Sequence, residues 1–143
     1  MTVQKILSRK PGTDVITVTP GQSVAEAAAL LSQKRIGAVI VADGGAPLGI
    51  LSERDIVREL GKRGAVCLND KVEALMTKAL ITCAPEDNAM AVLEKMSQGR
   101  FRHMPVMRDG AMVGLISIGD VVNHRLAELA MERDALESMV MGH

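Results

Sequence analysis

Two short segments carry the residues best suited to chemistry: Gly49-Ile50-Leu51-Ser52-Glu53-Arg54-Asp55 and Gly114-Leu115-Ile116-Ser117-Ile118-Gly119-Asp120. Both read Gly-x-x-Ser-x-x-Asp, each following an apolar run and preceding a helical pattern. A serine followed three residues later by a carboxylate at a helix start is a capping box, which needs no ligand. The same geometry can also hold one. Unpaired N–H groups and the positive end of the helix dipole attract phosphate. The serine hydroxyl adds a donor, and a first-turn carboxylate can accept two hydrogen bonds from a ribose diol. Glycine before the motif lets a ligand approach the backbone. Local spacing leaves both readings open.

The two segments belong to a longer echo. Sliding the sequence by 65 residues lays Val15–Leu60 over Leu80–Arg125 without a gap, with ITVTPGQS over ITCAPEDN and GGAPLGILSERDIV over DGAMVGLISIGDVV. A repeat of this length is one supersecondary unit that buries its apolar face against its copy. Two copies imply a pseudo-two-fold axis and a groove between them.

Each copy reads β-α-β-β-α. Val15–Val18 is a short β-branched strand closed by Thr19-Pro20-Gly21. Ser23 then caps a helix whose apolar stripe is Val24, Ala27, Ala28 and Leu31, repeated at Ala89, Val92, Leu93 and Met96. Ala38–Ala42 and Leu48–Leu51 form a hairpin around Asp43-Gly44-Gly45, and Met104–Met107 and Met112–Ile116 form its copy around Arg108-Asp109-Gly110. Pro105 belongs at a strand start or on an unpaired edge. A helix follows from Glu53 to about Lys62. Val3–Ser8 is a leading helix stopped by Lys10-Pro11-Gly12, and Asp70–Met76 is a linking helix. From Asp120 to about Met141 one long helix carries Leu126, Leu129, Ala130, Leu136 and Val140 along one side, interrupted by Arg133. The division expected is 1–69 for the first motif with its N-terminal helix, and 70–143 for the second with the linking and C-terminal helices.

Composition narrows the class. Seventeen basic and seventeen acidic residues cancel, so no basic field draws nucleic acid or a membrane surface. Phe101 is the one aromatic residue, so there is no base-stacking platform for single strands. Cys67 and Cys83 lack metal spacing and are expected to be core thiols. Apart from Met1, every methionine lies at Met76 or later, as adaptable core and interface filler. No stretch has the apolar length of a membrane helix or a signal peptide, so a cytoplasmic protein is expected. His124 and His143 have no partner legible in sequence and are expected on the surface.

The chain resembles a stand-alone pair of CBS domains, a Bateman module, from Val15 to about Leu126. Carrying the resemblance are Ala74-Leu75-Met76-Thr77, Arg102-His103-Met104-Pro105-Val106 and the two Gly-x-x-Ser-x-x-Asp segments taken together. It implies an α+β fold of tandem β-α-β-β-α units with a long C-terminal helix. It also implies adenosyl-nucleotide binding: AMP, ADP, ATP or NAD(H), with S-adenosylmethionine as an alternative. In such modules the motif aspartate holds ribose, which maps to Asp55 and Asp120, and the motif serine meets ribose or phosphate, which maps to Ser52 and Ser117. Adenine is read by backbone and apolar walls, here Ile16, Thr17, Gly37 and Ala38 in copy one and Ile81, Thr82, Met104 and Pro105 in copy two. Basic residues neutralise phosphate, which points to Arg54, Arg100, Arg102 and His103. Where copy two has Arg102-His103, copy one has Gly37-Ala38, so the two sites need not be equivalent.

The resemblance further implies a homodimer that signals to a regulated protein. Catalysis is not expected: the sequence holds no nucleophile–base pair, Walker loop, metal cluster or paired carboxylates at catalytic spacing. A structural adaptor with vestigial sites is the alternative.

Overall fold

A computed structural model describes residues 1–9 and 15–141. The Lys10-Pro11-Gly12 stop and His143 therefore lie outside the described residues. The elements run α1 (Val3–Arg9), β1 (Thr17–Val18), α2 (Val24–Lys34), β2 (Ala38–Ala42), β3 (Pro47–Ser52), α3 (Glu53–Arg63), a 3-10 segment Gly64–Asn69, α4 (Val72–Leu75), α5 (Ala89–Gly99), β4 (His103–Arg108), β5 (Ala111–Ser117) and α6 (Ile118–Val140). This is the α+β repeat expected from sequence. The linking helix shortens to one turn, and the 3-10 segment before it was not expected.

The helices α2, α3, α5 and α6 each begin at a residue whose side chain accepts from a first-turn amide. Ser23 Oγ accepts from the Glu26 N–H at 3.1 Å, and Asn88 Oδ1 accepts from the N–H groups of Met90 and Ala91. Both α2 and α5 stop at an arginine in the left-handed region, Arg35 (φ 54°) and Arg100 (φ 57°), 65 residues apart. Phe101 N–H donates back to the Met96 carbonyl and Ile36 N–H to the Leu31 carbonyl, the six-to-one bond of a Schellman ending. The β4–β5 turn is Asp109-Gly110, both at positive φ, the conformation a two-residue hairpin loop demands.

The helical stripes read from sequence become two cores. Val24, Ala27 and Leu31 pack with Val39, Val41, Leu51 and Ile56, while Ala89, Val92 and Met96 pack with Met104, Val106, Ile116 and Val121. The short leading helices are exchanged between them. Val3 and Ile6 of α1 are buried in the core of the second copy, and Val72 of α4 in that of the first. Matching backbone bonds hold both: Val3 N–H to Asp87 and Gln4 N–H to Pro85, against Val72 N–H to Gln22 and Glu73 N–H to Pro20. The halves are thus interlocked, and each buries part of its apolar surface on a helix that precedes the other's repeat.

The sheets differ. Copy one has three strands in the order β1-β2-β3, with β1 parallel to β2, whereas copy two has only β4-β5 plus a single parallel bridge from Cys83 to Val106. Pro105 is interior to β4, and its nitrogen faces away from β5, toward the edge that a third strand would occupy. That is the unpaired-edge placement expected of a strand proline.

His124 corrects one expectation: its side chain is buried, 8% exposed, with Nε2 4.0 Å from Glu128 Oε2. It lies three residues after the fully buried Val121 and shares its helix face. Both cysteines are buried and unbridged, as expected of core thiols.

Two glycines show how closely the elements approach. A Cβ on Gly49 would sit 2.6 Å from Met76 Sδ and 2.9 Å from the Thr77 carbonyl oxygen, because the Thr77 backbone pairs with Ile50 across it. The three atoms nearest a Cβ on Gly114 all belong to the Leu7 side chain, its methyls at 3.0 and 3.1 Å and Cγ at 3.6 Å. Gly49→Ala should cost about 1–3 kcal/mol and Gly114→Ala distinctly less, measured by urea denaturation; equal losses would show that the backbone crossing is no constraint. Cys83 gives a second prediction. Burial, with help from Asp87, raises its thiol from 9.0 to about 11. The folded state holds this proton more tightly than the unfolded one, so the thiol's contribution is complete below pH 9 and is lost as pH rises from 9 to about 11. At pH 8 a thiol reagent should modify Cys83 only at the rate of unfolding, and rapid labelling of the native protein would contradict this.

Candidate functional site

Two backbone hydrogen bonds build the junction on which the motifs sit. Glu53 N–H donates to the Gly37 carbonyl and Ile118 N–H to the Arg102 carbonyl, each at 2.9 Å. They tie the first residue of α3 and α6 to the start of the neighbouring strand. Both capping boxes are then complete. Ser52 Oγ accepts from Asp55 N–H at 3.2 Å while Asp55 Oδ2 accepts from Ser52 N–H at 3.0 Å. Ser117 Oγ accepts from Asp120 N–H at 3.1 Å while Asp120 Oδ2 accepts from Ser117 N–H at 2.9 Å. Among the described residues, these bonds leave the second amide of each helix, Arg54 N–H and Gly119 N–H, without a partner.

The two junctions open on a cleft of about 530 Å³, within the range of about 300–1,000 Å³ for small-molecule sites. One wall is the segment around Thr77 and Ile81, held against Ile50 by the Ile50–Thr77 pairing. Another is the stretch from Gly99 to His103, with the Phe101 ring lying over Gly99. Four arginines border the cleft, Arg54, Arg58, Arg100 and Arg102, against two carboxylates, Glu53 and Asp55. Arg58 is partly spent on Asp55, Nη1 to Oδ1 at 3.3 Å. Arg54, Arg100 and Arg102 form no ion pair among the described residues. The cleft therefore suits a ligand that is anionic at one part and apolar at another, with Asp55 available to a hydroxyl pair.

Most of the residues proposed from sequence meet here. Ser52, Asp55, Arg54, Arg100, Arg102, His103, Gly37, Ile81, Pro105 and Ser117 all border the cleft. Ile16, Thr17, Ala38, Thr82, Met104 and Asp120 do not. Strand alternation explains two of these: Met104 and Ala38 turn inward, 0% and 4% exposed, while their neighbours His103 and Gly37 face the cleft. Asp120 turns back onto the Ser117 amide, and it is Ile118 and Gly119 that reach the cleft. Sequence reasoning missed Arg58, Phe101, Glu53 and Leu80. Arg58 was readable as the i+3 partner of Asp55; Phe101 had no local signal, since only tertiary folding brings it to the wall.

His103 reaches across the pseudo-axis. A Cβ on Gly37 would lie 3.3 Å from both Cε1 and Nε2 of His103, and 3.7 Å from Glu53 Oε1. The imidazole occupies the space that a side chain at 37 would need. The mismatch between Gly37-Ala38 and Arg102-His103 is thus a steric pairing, small opposite large. Among the described residues no cluster of His, Cys, Asp and Glu could hold a metal ion, and no helix is long and apolar enough to cross a membrane.

Comparison with known proteins agrees with this architecture. The family model described as CBS domain matches residues 3–62 and 72–127. The CBS domain-containing protein CBSX3, mitochondrial, of Arabidopsis thaliana is 34% identical over 129 residues, 87% of this chain, which spans 63% of that relative's length. A CBS-domain containing protein from Agrobacterium tumefaciens has a crystal structure that superposes with TM-score 0.84 at 44% identity, covering 87% of this chain and 99% of that one. The CBS domain pair of protein MJ0100, in complex with 5′-methylthioadenosine and S-adenosyl-L-methionine, superposes with TM-score 0.77 at 26% identity, covering 90% of this chain and 98% of that one.

Proposed function

Because the chain belongs to the CBS domain family, we propose that it is a non-catalytic regulatory module binding an adenosyl nucleotide in the cleft between its two copies. The observation that carries this reading is the convergence, around one cavity, of a ribose-competent carboxylate, Asp55, three arginines that form no ion pair among the described residues, and an apolar wall. In this reading Asp55 accepts from the ribose hydroxyls, and Ser52 and the Arg54 amide face ribose or phosphate. Arg54, Arg100, Arg102 and His103 neutralise phosphate. The excess of arginine over carboxylate favours AMP, ADP, ATP or NAD(H) over the cationic sulfonium of S-adenosylmethionine. The adenosyl ligands of the MJ0100 pair support the shared half of the ligand.

One observation favours the adaptor alternative: both capping boxes are satisfied without any ligand. Isothermal titration of the whole chain with AMP, ADP, ATP, NAD(H) and S-adenosylmethionine separates the readings. Each lost charge-assisted hydrogen bond is worth about 1.5–3 kcal/mol, so Asp55→Ala should weaken nucleotide binding about 10–100-fold. Asp55→Asn, which keeps a carbonyl acceptor for the cap, should restore thermal stability but not affinity. No binding to any ligand at millimolar concentration would leave the adaptor reading.

Occupancy would be transmitted by differential affinity for two arrangements of the halves, read out through a dimer. Along α6, Val122, Leu126, Leu129, Arg133, Leu136 and Val140 recur at alternating spacings of four and three, a heptad seam. Leu126, Leu129 and Leu136 are 59%, 44% and 61% exposed in the single chain. Arg125 and Glu132 flank the seam, so an antiparallel second copy would set opposite charges against each other. Light scattering should report a dimer, and Leu126→Glu with Leu136→Glu a monomer; a monomeric parent protein at high concentration would refute the interface.

A further inference from the structure

Asp55 carries more bonds than a cap needs. Its Oδ2 accepts from both the amide and the hydroxyl of Ser52, each at 3.0 Å, which engages both lone pairs of that oxygen. Its Oδ1, which the cap does not use, accepts from Arg58 Nη1 at 3.3 Å. A ribose diol brings two donors to a carboxylate. Only Oδ1 has acceptor sites to offer, and Arg58 holds one of them. The diol and Arg58 therefore compete for a single oxygen.

The two partners differ in freedom. The Asp55 side chain is 12% exposed and fixed by its cap, whereas that of Arg58 is 58% exposed. An exposed ion pair of this kind holds weakly, so the arginine is the partner that yields. Arg58 borders the cleft and also a second groove, shared with Glu53, Arg54 and Val57. The residue 65 positions later is Asn123, which has no charge to offer a phosphate. The arrangement is thus built into copy one alone.

We propose that Arg58 is a specificity-determining latch on the ribose carboxylate: it pairs with Asp55 Oδ1 while the cleft holds no phosphate, and passes its guanidinium to the phosphate of an incoming nucleotide, which frees Oδ1 for the ribose. This rests on the proposed nucleotide-binding function. A guanidinium matches phosphate oxygens two at a time, so a nucleotide replaces the ion pair that it breaks. A nucleoside breaks the same pair and replaces nothing. Phosphate is then read twice, by attraction to arginine and by release of the carboxylate.

The experiment compares the full-length parent with Arg58→Gln and with Arg58→Asn, the copy-two residue. AMP, ATP and NAD+ are titrated directly, and adenosine is measured by its displacement of the tightest of them, so that weak binding is still read. Both variants should bind adenosine about threefold more tightly, through loss of a competing exposed ion pair. Both should bind the tightest nucleotide about tenfold more weakly, through loss of one charge-assisted bond. These opposite signs distinguish a latch from a residue that only attracts phosphate, which would leave adenosine unmoved. Adenosine affinity unchanged or lower in both variants, or nucleotide affinity that does not fall, overturns the latch while leaving the nucleotide site standing. If the parent binds none of the three nucleotides, the proposed function falls and this inference with it.

Discussion

The bond from the first amide of a motif helix to the carbonyl at the start of the adjoining strand is the constraint on which the rest depends. Glu53 N–H to Gly37 and Ile118 N–H to Arg102 fix the angle at which α3 and α6 leave their hairpins. With that angle set, the serine and aspartate can close their capping boxes. One more amide is consumed by the serine hydroxyl, and Arg54 N–H and Gly119 N–H remain directed away from the helix. The same bond places the strand-start residues beside the motif, which is why His103, Arg102 and Gly37 share the cleft with Ser52 and Ser117. Capping and ligand binding are therefore compatible uses of one geometry. The cap orients the carboxylate, and an ionised carboxylate still has acceptor capacity beyond the bonds it makes to its own helix.

Around this junction, the departures from symmetry are compensated locally. His103 fills the space left by Gly37, so the large residue of one copy is accommodated by the absence of a side chain in the other. Met76 and Thr77 lie over Gly49, while Leu7 takes the corresponding place over Gly114. The helices that make these contacts are exchanged, α4 on the first copy and α1 on the second. An exchange of this kind makes each core incomplete without the other half of the chain, and so couples the relative position of the halves to the integrity of both. A ligand held between them then acts on a boundary that is already shared.

Much of this was legible in the residues. The stripe Val24, Ala27, Leu31 and its copy Ala89, Val92, Met96 carries a 3.6 period that has only one buried solution. The Ser-x-x-Asp spacing dictates a cap, and the cap is present. What failed to be legible depended on neighbours distant in sequence. His124 looked solitary because its burial follows from the side of α6 that packs on the second core. The resemblance puts Met104 in the adenine pocket, and the two-residue alternation of a strand sends it to the core instead. Phe101 joined the cleft through the chain path after Arg100, whose left-handed backbone turns the chain there.

The sequence by itself determined the repeat, the order of elements and the two caps. Each of these is encoded by contacts within a few residues or by comparison of the chain with itself, and neither needs coordinates. Only the tertiary structure decided which residues meet. It placed the motif of copy one beside Arg102 and His103 of copy two, crossed α1 and α4 between the cores, and left the Ile81 carbonyl without a backbone partner among the described residues where Ile16 is paired. The physical reason is that hydrogen-bond pairing across a sheet and packing across a pseudo-axis are set by which groups face each other in space. A single missing N–H at Pro105 changes that without altering the local pattern around it.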